Sequence, residues 1–166
     1  MFLGFLKIAN DGISLNSIAF RRPTRIYRSD SCPTGLGGYS DRGWEWRWYL
    51  PKNLLFRASN NLLEHLAAII SPWVDILAGR LKSQDCVLSM TDSTTAEGWL
   101  KKSNFRELGE SPIQASARIE ACQKQATLFM SLGIKCYSRW FAGERNQVSD
   151  ALSLVTTTEA TKNSPA

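Results

Sequence analysis

The order of strand-like and helix-like segments limits the folds open to this chain more than any other sequence feature. Short extended patterns occupy residues 24–30, 35–39 and 44–51, and their spacing predicts an antiparallel meander. A long helical pattern follows, then a strand ending near residue 92, a short and a longer helix, a strand over 134–141 and a last helix from about residue 144. At 166 residues, the chain is long enough for one compact α/β domain with a sizeable core.

The long helix is marked by capping residues and by apolar periodicity. Ser59, Asn60 and Asn61 are good residues for a helix start. Helical spacing then relates five apolar residues: Leu62, Leu66, Ile69, Trp73 and Ile76. Pro72 lies inside this pattern and predicts a kink or a break, because proline has no N–H to donate.

The later helices also carry start and stop signals. Thr94 and Glu97 have capping-box spacing, and so do Ser111 and Gln114 before a helix that we expect to end at Gly133. The last helix is predicted to place four residues on one apolar face: Val148, Ala151, Leu152 and Val155.

The charge of the chain favours anionic partners. It carries 20 Lys plus Arg against 15 Asp plus Glu, a formal net charge of +5. The basic residues cluster in two segments: Arg21, Arg22, Arg25 and Arg28, then Lys101, Lys102 and Arg106. Solvated basic faces are also common on proteins that bind no nucleic acid, so charge alone leaves both interpretations open.

The cysteines and the single histidine form no metal-binding pattern. The four cysteines include no CxxC pair, and His65 has no partner at ligand spacing, which argues against zinc. Isolated cysteines in apolar runs behave as small hydrophobes and fit a reducing compartment, and we expect His65 at the surface or an edge. The sequence shows no signal peptide and no apolar run of about 18 residues, so we expect a cytoplasmic or nuclear protein.

Four acids are spread over four predicted elements. Asp30 ends the first strand, Glu64 lies in the first turns of the long helix, Asp92 follows a buried strand and Asp150 lies on the last helix. Each has an ordinary explanation as a turn residue, a helix-surface acid, a helix cap or an exposed acid. They form one site only if the sheet brings both strand ends beside both helices.

Four motifs give the chain a family resemblance over roughly residues 24–155. SDSCPTGLGGY, SNNLLEHLAAI, MTDSTTAEGW and AGERNQVSDALS occur in this order. Together they resemble the ribonuclease H domain of retroelement reverse transcriptases, most closely that of retrotransposon polyproteins. The resemblance implies a ribonuclease H-like α/β fold with a mixed five-stranded sheet flanked by helices. It also implies that residues 1–23 are a remnant of the connecting segment that follows the polymerase. The polar composition of residues 156–166 predicts a disordered tail.

The resemblance implies a metal-dependent endonuclease that hydrolyses the RNA strand of RNA/DNA hybrids. Asp30, Glu64, Asp92 and Asp150 correspond to the family's metal-binding and catalytic acids, and the ions would be two Mg²⁺, with Mn²⁺ as the alternative. Asp30 would bridge both ions. We also expect seven residues to contact the nucleic acid: Asn60, Asn61, Ser93, Lys101, Lys102, Gln114 and Asn146. The expected partners are the hybrid and the polymerase portion of the same polyprotein.

One departure keeps alternatives open. The family commonly has a histidine ten positions before the last acid, where this chain has Trp140, so we expect reduced turnover. A catalytically impaired relic that only binds nucleic acid or serves as a structural module is therefore an alternative. An integrase or transposase is disfavoured, because its glutamate would come last, whereas Glu64 stands between Asp30 and Asp92.

Overall fold

The computed structural model describes residues 20–51, 58–102, 109 and 111–154. The strands are β1 (Arg25–Cys32), β2 (Gly35–Ser40), β3 (Glu45–Tyr49), β4 (Cys86–Thr91) and β5 (Lys135–Trp140). The helices are α1 (Asn60–Leu77), α2 (Thr94–Lys102), α3 (Pro112–Ser131) and α4 (Gln147–Ser153), with a 3₁₀ turn over Gly143–Arg145. Residues 1–19 and 155–166 lie outside the described residues, and with them most of the predicted connecting segment and the whole tail.

The five strands form one mixed sheet in the order β3-β2-β1-β4-β5. β1 pairs antiparallel with β2, and β2 with β3, whereas β1–β4 and β4–β5 are parallel. The meander, the later parallel strands and the flanking helices confirm the predicted fold class. β1 lies at the centre, so a side chain near its end is held by strands on both sides.

Helices α1 and α4 pack on opposite faces of the sheet. A Cβ added at Gly38 would lie 2.7 Å from Oγ of Ser71 on α1, whereas one at Gly37 would lie 2.6 Å from Cβ of Leu152 on α4. Because consecutive strand residues point to opposite faces, the two helices must cover opposite sides of β2. Both glycines leave room for a close helix–strand approach.

The main core lies on the α1 face of the sheet. Tyr27, Leu81, Val87, Phe129 and Ile134 form one buried cluster. A second buried cluster contains four residues: Leu36, Leu50, Leu63 and Ala67. Such burial supplies about 25 cal/mol per Å² of apolar surface, so these contacts anchor the helices on the sheet.

Pro72 does not break α1, so that part of the prediction is wrong, whereas the kink stays a prediction. The helix runs through it from Asn60 to Leu77. Proline has no N–H for the carbonyl four residues earlier, and in this protein the Ser89 hydroxyl donates to that carbonyl, Ala68 O, at 3.5 Å. A neighbouring strand thus satisfies an acceptor that would otherwise be buried without a partner.

Two further local predictions need correction. Ser93, not Thr94, caps α2, because its hydroxyl accepts from Ala96 N at 3.1 Å. The predicted apolar face of α4 is only partly right, because Leu152 lies against Gly37 of β2 and Val155 lies outside the described residues. Val148 and Ala151 are exposed, whereas Ser149 and Ser153 are buried. Small residues fit there because the helix lies close to the glycines of β2.

His65 is completely buried rather than at the surface. Its ring meets Trp99 edge-on with centroids 5.5 Å apart, and its Nε2 lies 3.3 Å from Sγ of Cys122. Burial is the main cause that lowers the pKa of His65 to about 4, and nearby Arg118 adds to it. The residue is therefore a neutral core group where three helices meet. None of the described helices is both long and apolar enough to span a membrane.

Candidate active site

Three of the four predicted acids converge. Asp30 lies on β1, Asp92 follows β4 directly, and Asp150 lies on α4. One carboxylate oxygen from each can be chosen so that all three lie within 4.8 Å of one another. The parallel register explains part of this, because Arg28 pairs with Met90 and the two acids follow at equal distance along neighbouring strands.

Contacts at both ends of α4 bring Asp150 to this cluster. At the start of the helix, Nδ2 of the buried Asn146 donates to Ser29 O on β1 at 3.2 Å. At its end, Sγ of Cys32 donates to Ser153 O at 3.0 Å. Because both contacts are made to β1, the helix is fixed over the strand that carries Asp30.

Ser153 also contacts the acid cluster through its side chain. Its hydroxyl lies 3.0 Å from Oδ2 of Asp30 and 3.0 Å from the carbonyl oxygen of Asp150. A hydroxyl has one proton to donate, so it serves one of these acceptors at a time. The helix that supplies Asp150 thereby also supplies a donor to Asp30.

Glu64 lies beside the cluster and is held by the residue that follows Asp30. Its Oε1 accepts from the Ser31 hydroxyl at 2.7 Å and from the Ser31 N–H at 3.3 Å. The side chain is 5% exposed, and its Oε2 has no hydrogen-bond partner among the described residues. Ser31 therefore orients one oxygen and leaves the other free to bind a ligand.

The pKa values of the acids record this crowding. Burial, opposed by the Ser153 hydrogen bond and reinforced by Asp92 and Asp150, raises the pKa of Asp30 to about 6. Burial is also the largest cause that raises the pKa of Glu64 to about 8, with Asp30 and Asp92 adding to it. The pKa of Asp92 is raised by burial and by Asp150. A bound cation would relieve the repulsion among these groups.

Asp92 is free to join the cluster because it caps no helix. The adjacent Ser93 performs that task for α2. The loop after β5 lies against Asp92: a Cβ built on Gly143 would be 3.0 Å from Asp92 Oδ2, and the indole of Trp140 donates to Asp92 O at 2.7 Å. The carboxylate therefore has a fixed place beside Asp30 and Asp150.

The predicted nucleic-acid contacts are spread over several helices. Asn60 is exposed and Asn61 half-buried in the first turn of α1, close in sequence to Glu64. Lys101 forms an ion pair with Glu97 at 2.6 Å, and Gln114 accepts from Ser111 N in the capping box of α3. Lys102 ends α2, and its side chain lies outside the described part of the chain.

Asn146 has a different role from the one predicted. It is completely buried, and its amide bonds Ser29 O as described above. A side chain without exposed surface cannot contact nucleic acid, so Asn146 positions α4 instead. The prediction of direct contact is corrected for this residue.

Two residues that contact the acids were not predicted from the sequence, Ser31 and Ser153. Ser31 follows Asp30 directly, and Ser153 lies one helical turn after Asp150. A serine beside each acid is a weak signal, because serines are common in turns and at helix ends. Only the packing of α1 and α4 against β1 gives these hydroxyls their acceptors.

The acid cluster fits a divalent cation of the hard type. Carboxylate oxygens are the ligands that Mg²⁺, Ca²⁺ and Mn²⁺ prefer, and the three clustered acids offer three of them. The unpartnered oxygen of Glu64 offers a fourth. Sulfur and imidazole ligands, which favour softer metals, are absent from this described cluster.

Comparison with known proteins gives matches at the level of structure. No protein-family model and no curated protein sequence matches the chain. The LC11 ribonuclease H1 in complex with an RNA/DNA hybrid superimposes with a TM-score of 0.57 and 17% identity, over 78% of this chain and 93% of that one. The ribonuclease H1 of the halophilic archaeon Halobacterium salinarum gives a TM-score of 0.53 and 18% identity, over 77% and 91%.

A reverse transcriptase is also similar to this chain. The prototype foamy virus protease-reverse transcriptase matches with a TM-score of 0.53 and 13% identity, over 85% of this chain and 22% of the viral one. These identities are low, so the likeness concerns the fold. The order of the strands and the placement of the helices agree with it, and the chain therefore has a ribonuclease H-like fold.

Proposed function

We propose that the chain is a metal-dependent endonuclease that hydrolyses the RNA strand of RNA/DNA hybrids. The observation that carries this proposal is the convergence of Asp30, Asp92 and Asp150 within 4.8 Å, with Glu64 held beside them by Ser31. These acids come from two strands and two helices. Burial, reinforced by the neighbouring acids, raises the pKa of Asp30, Glu64 and Asp92. Such an arrangement is costly for folding, which is typical of a site kept for function.

The chain's own residues would bind and orient the reacting groups. Asp30, Glu64, Asp92 and Asp150 would hold two Mg²⁺ ions, with Mn²⁺ as the alternative. When bound, such ions activate a water molecule and neutralise charge at the leaving oxygen. Ser153 and Ser31 keep the oxygens of Asp30 and Glu64 in place, and the α4 contacts keep Asp150 over β1. Glu64 must lose its proton before it can bind a cation.

Recognition of the hybrid would use the surface around α1. Asn60 and Asn61 stand one turn before Glu64, so polar groups there would reach sugar hydroxyls near the acids. Ser93, Gln114, Lys101 and Lys102 remain proposed contacts to the backbone or bases. The LC11 enzyme, which is similar in fold, has a crystal structure in complex with an RNA/DNA hybrid, and this supports the hybrid as the class of substrate.

The proposed origin is the ribonuclease H domain of a retrotransposon reverse transcriptase. The likeness to 22% of the foamy virus protease-reverse transcriptase, a longer chain, supports a polymerase portion as partner. In this proposal residues 1–23 connect the two portions and residues 156–166 form a tail.

The direct test is cleavage of a labelled RNA/DNA hybrid by the purified chain with Mg²⁺ and, separately, Mn²⁺. Duplex DNA and single-stranded RNA serve as matched substrates. We expect internal cuts in the RNA strand of the hybrid only, and loss of cutting in EDTA. Cutting of all three substrates at one rate, or cutting that persists in EDTA, would refute the proposal.

Trp140 favours a second candidate, a catalytically impaired module that only binds nucleic acid. Its indole N–H is bonded to Asp92 O, and an indole has no basic nitrogen to relay protons. The two candidates differ in one assay, because the impaired module binds the hybrid without cutting it in either metal. Binding with no product at long incubation would favour it.

A further inference from the structure

A basic cavity lies beside the acid cluster and has no role in the proposal above. It has a volume of about 430 Å³ and is lined by Met90, Arg139, Trp140, Phe141, Ala142 and Arg145. Among these described residues two are arginines and none is acidic. We call it the arginine cavity.

The arginine cavity shares a wall with the acids. Trp140, which lines it, donates its indole N–H to Asp92 O at 2.7 Å. Gly143, which stands in sequence between Ala142 and Arg145, approaches the Asp92 carboxylate so closely that an added Cβ would be 3.0 Å from Oδ2. A nucleic-acid strand bound over Asp92 would therefore reach the arginine cavity next.

The charge of the cavity is not neutralised within the described chain. Arg139 and Arg145 are exposed, and neither is in an ion pair with a described carboxylate. Arg28 extends the positive surface, because it stands in register with Met90, which in turn pairs with Arg139. Planar guanidinium groups in such a place are well suited to phosphate.

Trp140 adds a rigid aromatic surface. The residue is 46% exposed although its indole N–H donates to Asp92 O. A half-exposed indole that is fixed at one edge is suited to stack on an unpaired base at small cost in side-chain entropy. Two arginines and a fixed aromatic ring together match a nucleotide, which has both a phosphate and a planar base.

We propose that the arginine cavity binds a backbone phosphate of the nucleic-acid strand that continues past the acid cluster, with an unpaired base of that strand stacked on Trp140. This inference rests on the proposed function for its choice of ligand, since it is the acid cluster that makes a nucleic-acid strand the expected neighbour. It gives the protein a preference for hybrids that end in a single-stranded extension.

The test measures binding in EDTA, where cleavage plays no part. Fluorescence anisotropy compares a short RNA/DNA hybrid whose RNA strand extends beyond the duplex at both ends with a blunt hybrid, over a series of salt concentrations. We expect tighter binding of the extended hybrid. Arg139→Ala and Arg145→Ala should each remove this preference and lower the slope of log K against log salt by about 1.

The matched control is Arg42→Ala, which removes the same charge from the exposed turn between β2 and β3. It should keep both the preference and the slope. If the cavity variants differ from the parent no more than Arg42→Ala does, the proposal is overturned. Thermal melts of all variants identify any loss that comes from unfolding.

A second pair of variants isolates the stacking. Trp140→Phe and Trp140→Leu both lose the bond to Asp92 O, but only phenylalanine retains an aromatic face. We expect Trp140→Leu to bind the extended hybrid about 5- to 100-fold more weakly than Trp140→Phe. Equal affinities would overturn the assignment of a base to Trp140.

The binding and cleavage assays separate this inference from the proposed function. A parent chain that cuts hybrid, but whose cavity variants bind like Arg42→Ala, refutes the cavity and keeps the nuclease. A parent chain that prefers the extended hybrid through Arg139 and Arg145, but cuts nothing, keeps the cavity and refutes the nuclease.

Discussion

Ser153 of α4 donates a hydrogen bond to Asp30 of β1, although 123 residues separate them in the chain. The same helix carries Asp150, one turn earlier, so a single element supplies both an acid of the cluster and the donor that supports another acid. The site thus depends on the seating of α4 on the sheet as much as on the acids themselves. Four predictions examine this dependence and the chemistry that it serves.

Replacement of Ser153 by alanine should shift the pH profile of hybrid cleavage to higher pH. The Ser153 bond lowers the pKa of Asp30, so without it Asp30 holds its proton to a higher pH. We expect a stability loss of about 1 kcal/mol. Ser149→Ala is the control, because Ser149 is buried on the same helix and its hydroxyl has no partner among the described residues. An unshifted profile for Ser153→Ala would contradict this role.

Replacement of Gly37 by alanine should displace α4 and abolish cleavage. The added Cβ would lie 2.6 Å from Leu152 Cβ and 2.8 Å from Ser153 N, so the helix must move. Overpacking of this kind costs about 1–3 kcal/mol. Chemical denaturation gives the stability, and the hybrid assay gives the activity.

Gly43→Ala is the matched control for this variant. Gly43 has φ +80 and no atom within 4 Å of an added Cβ. Alanine there costs about 1–2 kcal/mol through the left-handed backbone alone, a loss similar to that of Gly37→Ala, while α4 keeps its place. If Gly37→Ala retained activity, or if both variants lost it equally, the placement of α4 against β2 would have no specific role in cleavage.

Replacement of Asp92 by asparagine should reduce hybrid cleavage to background and leave binding intact or tighter. Asparagine keeps the shape but not the charge that a hard divalent cation requires. Stability should hold or rise, because one member of a repulsive cluster is neutralised.

The neighbouring Ser93→Ala variant should have the opposite effects, because it removes the helix cap and keeps the charge of Asp92. Loss of the α2 cap should cost about 1 kcal/mol, while the carboxylate of Asp92 remains. The kcat of hybrid cleavage should therefore stay near that of the parent, and loss of the proposed Ser93 contact should raise only KM. Cleavage by Asp92→Asn near the parent rate would place any nuclease activity elsewhere.

The stability of the metal-free protein should fall as pH rises from about 5 to 8. Glu64 and Asp30 have folded-state pKa values of about 8 and about 6, above the ordinary 4.5 and 3.8. In this window these two acids bind more protons in the folded state than in the unfolded chain, and together they outweigh buried His65, whose lowered pKa of about 4 acts in the opposite sense below its ordinary 6.5. Stability is therefore lost as pH rises through the folded pKa values of the two acids. Metal-free melting temperatures across this range provide the measurement.

Added Mg²⁺ should reverse this loss, and more so at high pH, because only deprotonated acids bind the cation. Glu64→Gln serves as the comparison, since glutamine has no proton to lose and should flatten the dependence. Equal Mg²⁺ effects at pH 6 and pH 8.5, or equal pH slopes in the parent and in Glu64→Gln, would argue against the cluster as a cation site.

Several features of the fold followed from sequence alone because they depend on neighbours in the chain. The capping box of Ser111 and Gln114 and the stop at Gly133, which has φ +63, are confirmed. Such signals act within about one helical turn, so local chemistry decides them. The meander and the order of the four acids were equally visible.

What only the tertiary structure decided is which groups meet. The sequence left open whether Asp92 caps a helix or belongs to a cluster of acids. In the structure Ser93 caps α2, and the β1–β4 register places Asp92 beside Asp30. His65 is buried because α2 and α3 close over it, and no pattern near it in sequence carries that information. Helical and strand periodicity act over a few residues, whereas contacts such as that of Ser153 with Asp30 exist only after the sheet and its helices have packed. For this physical reason the acids could be predicted from the sequence and the hydroxyls that support them could not.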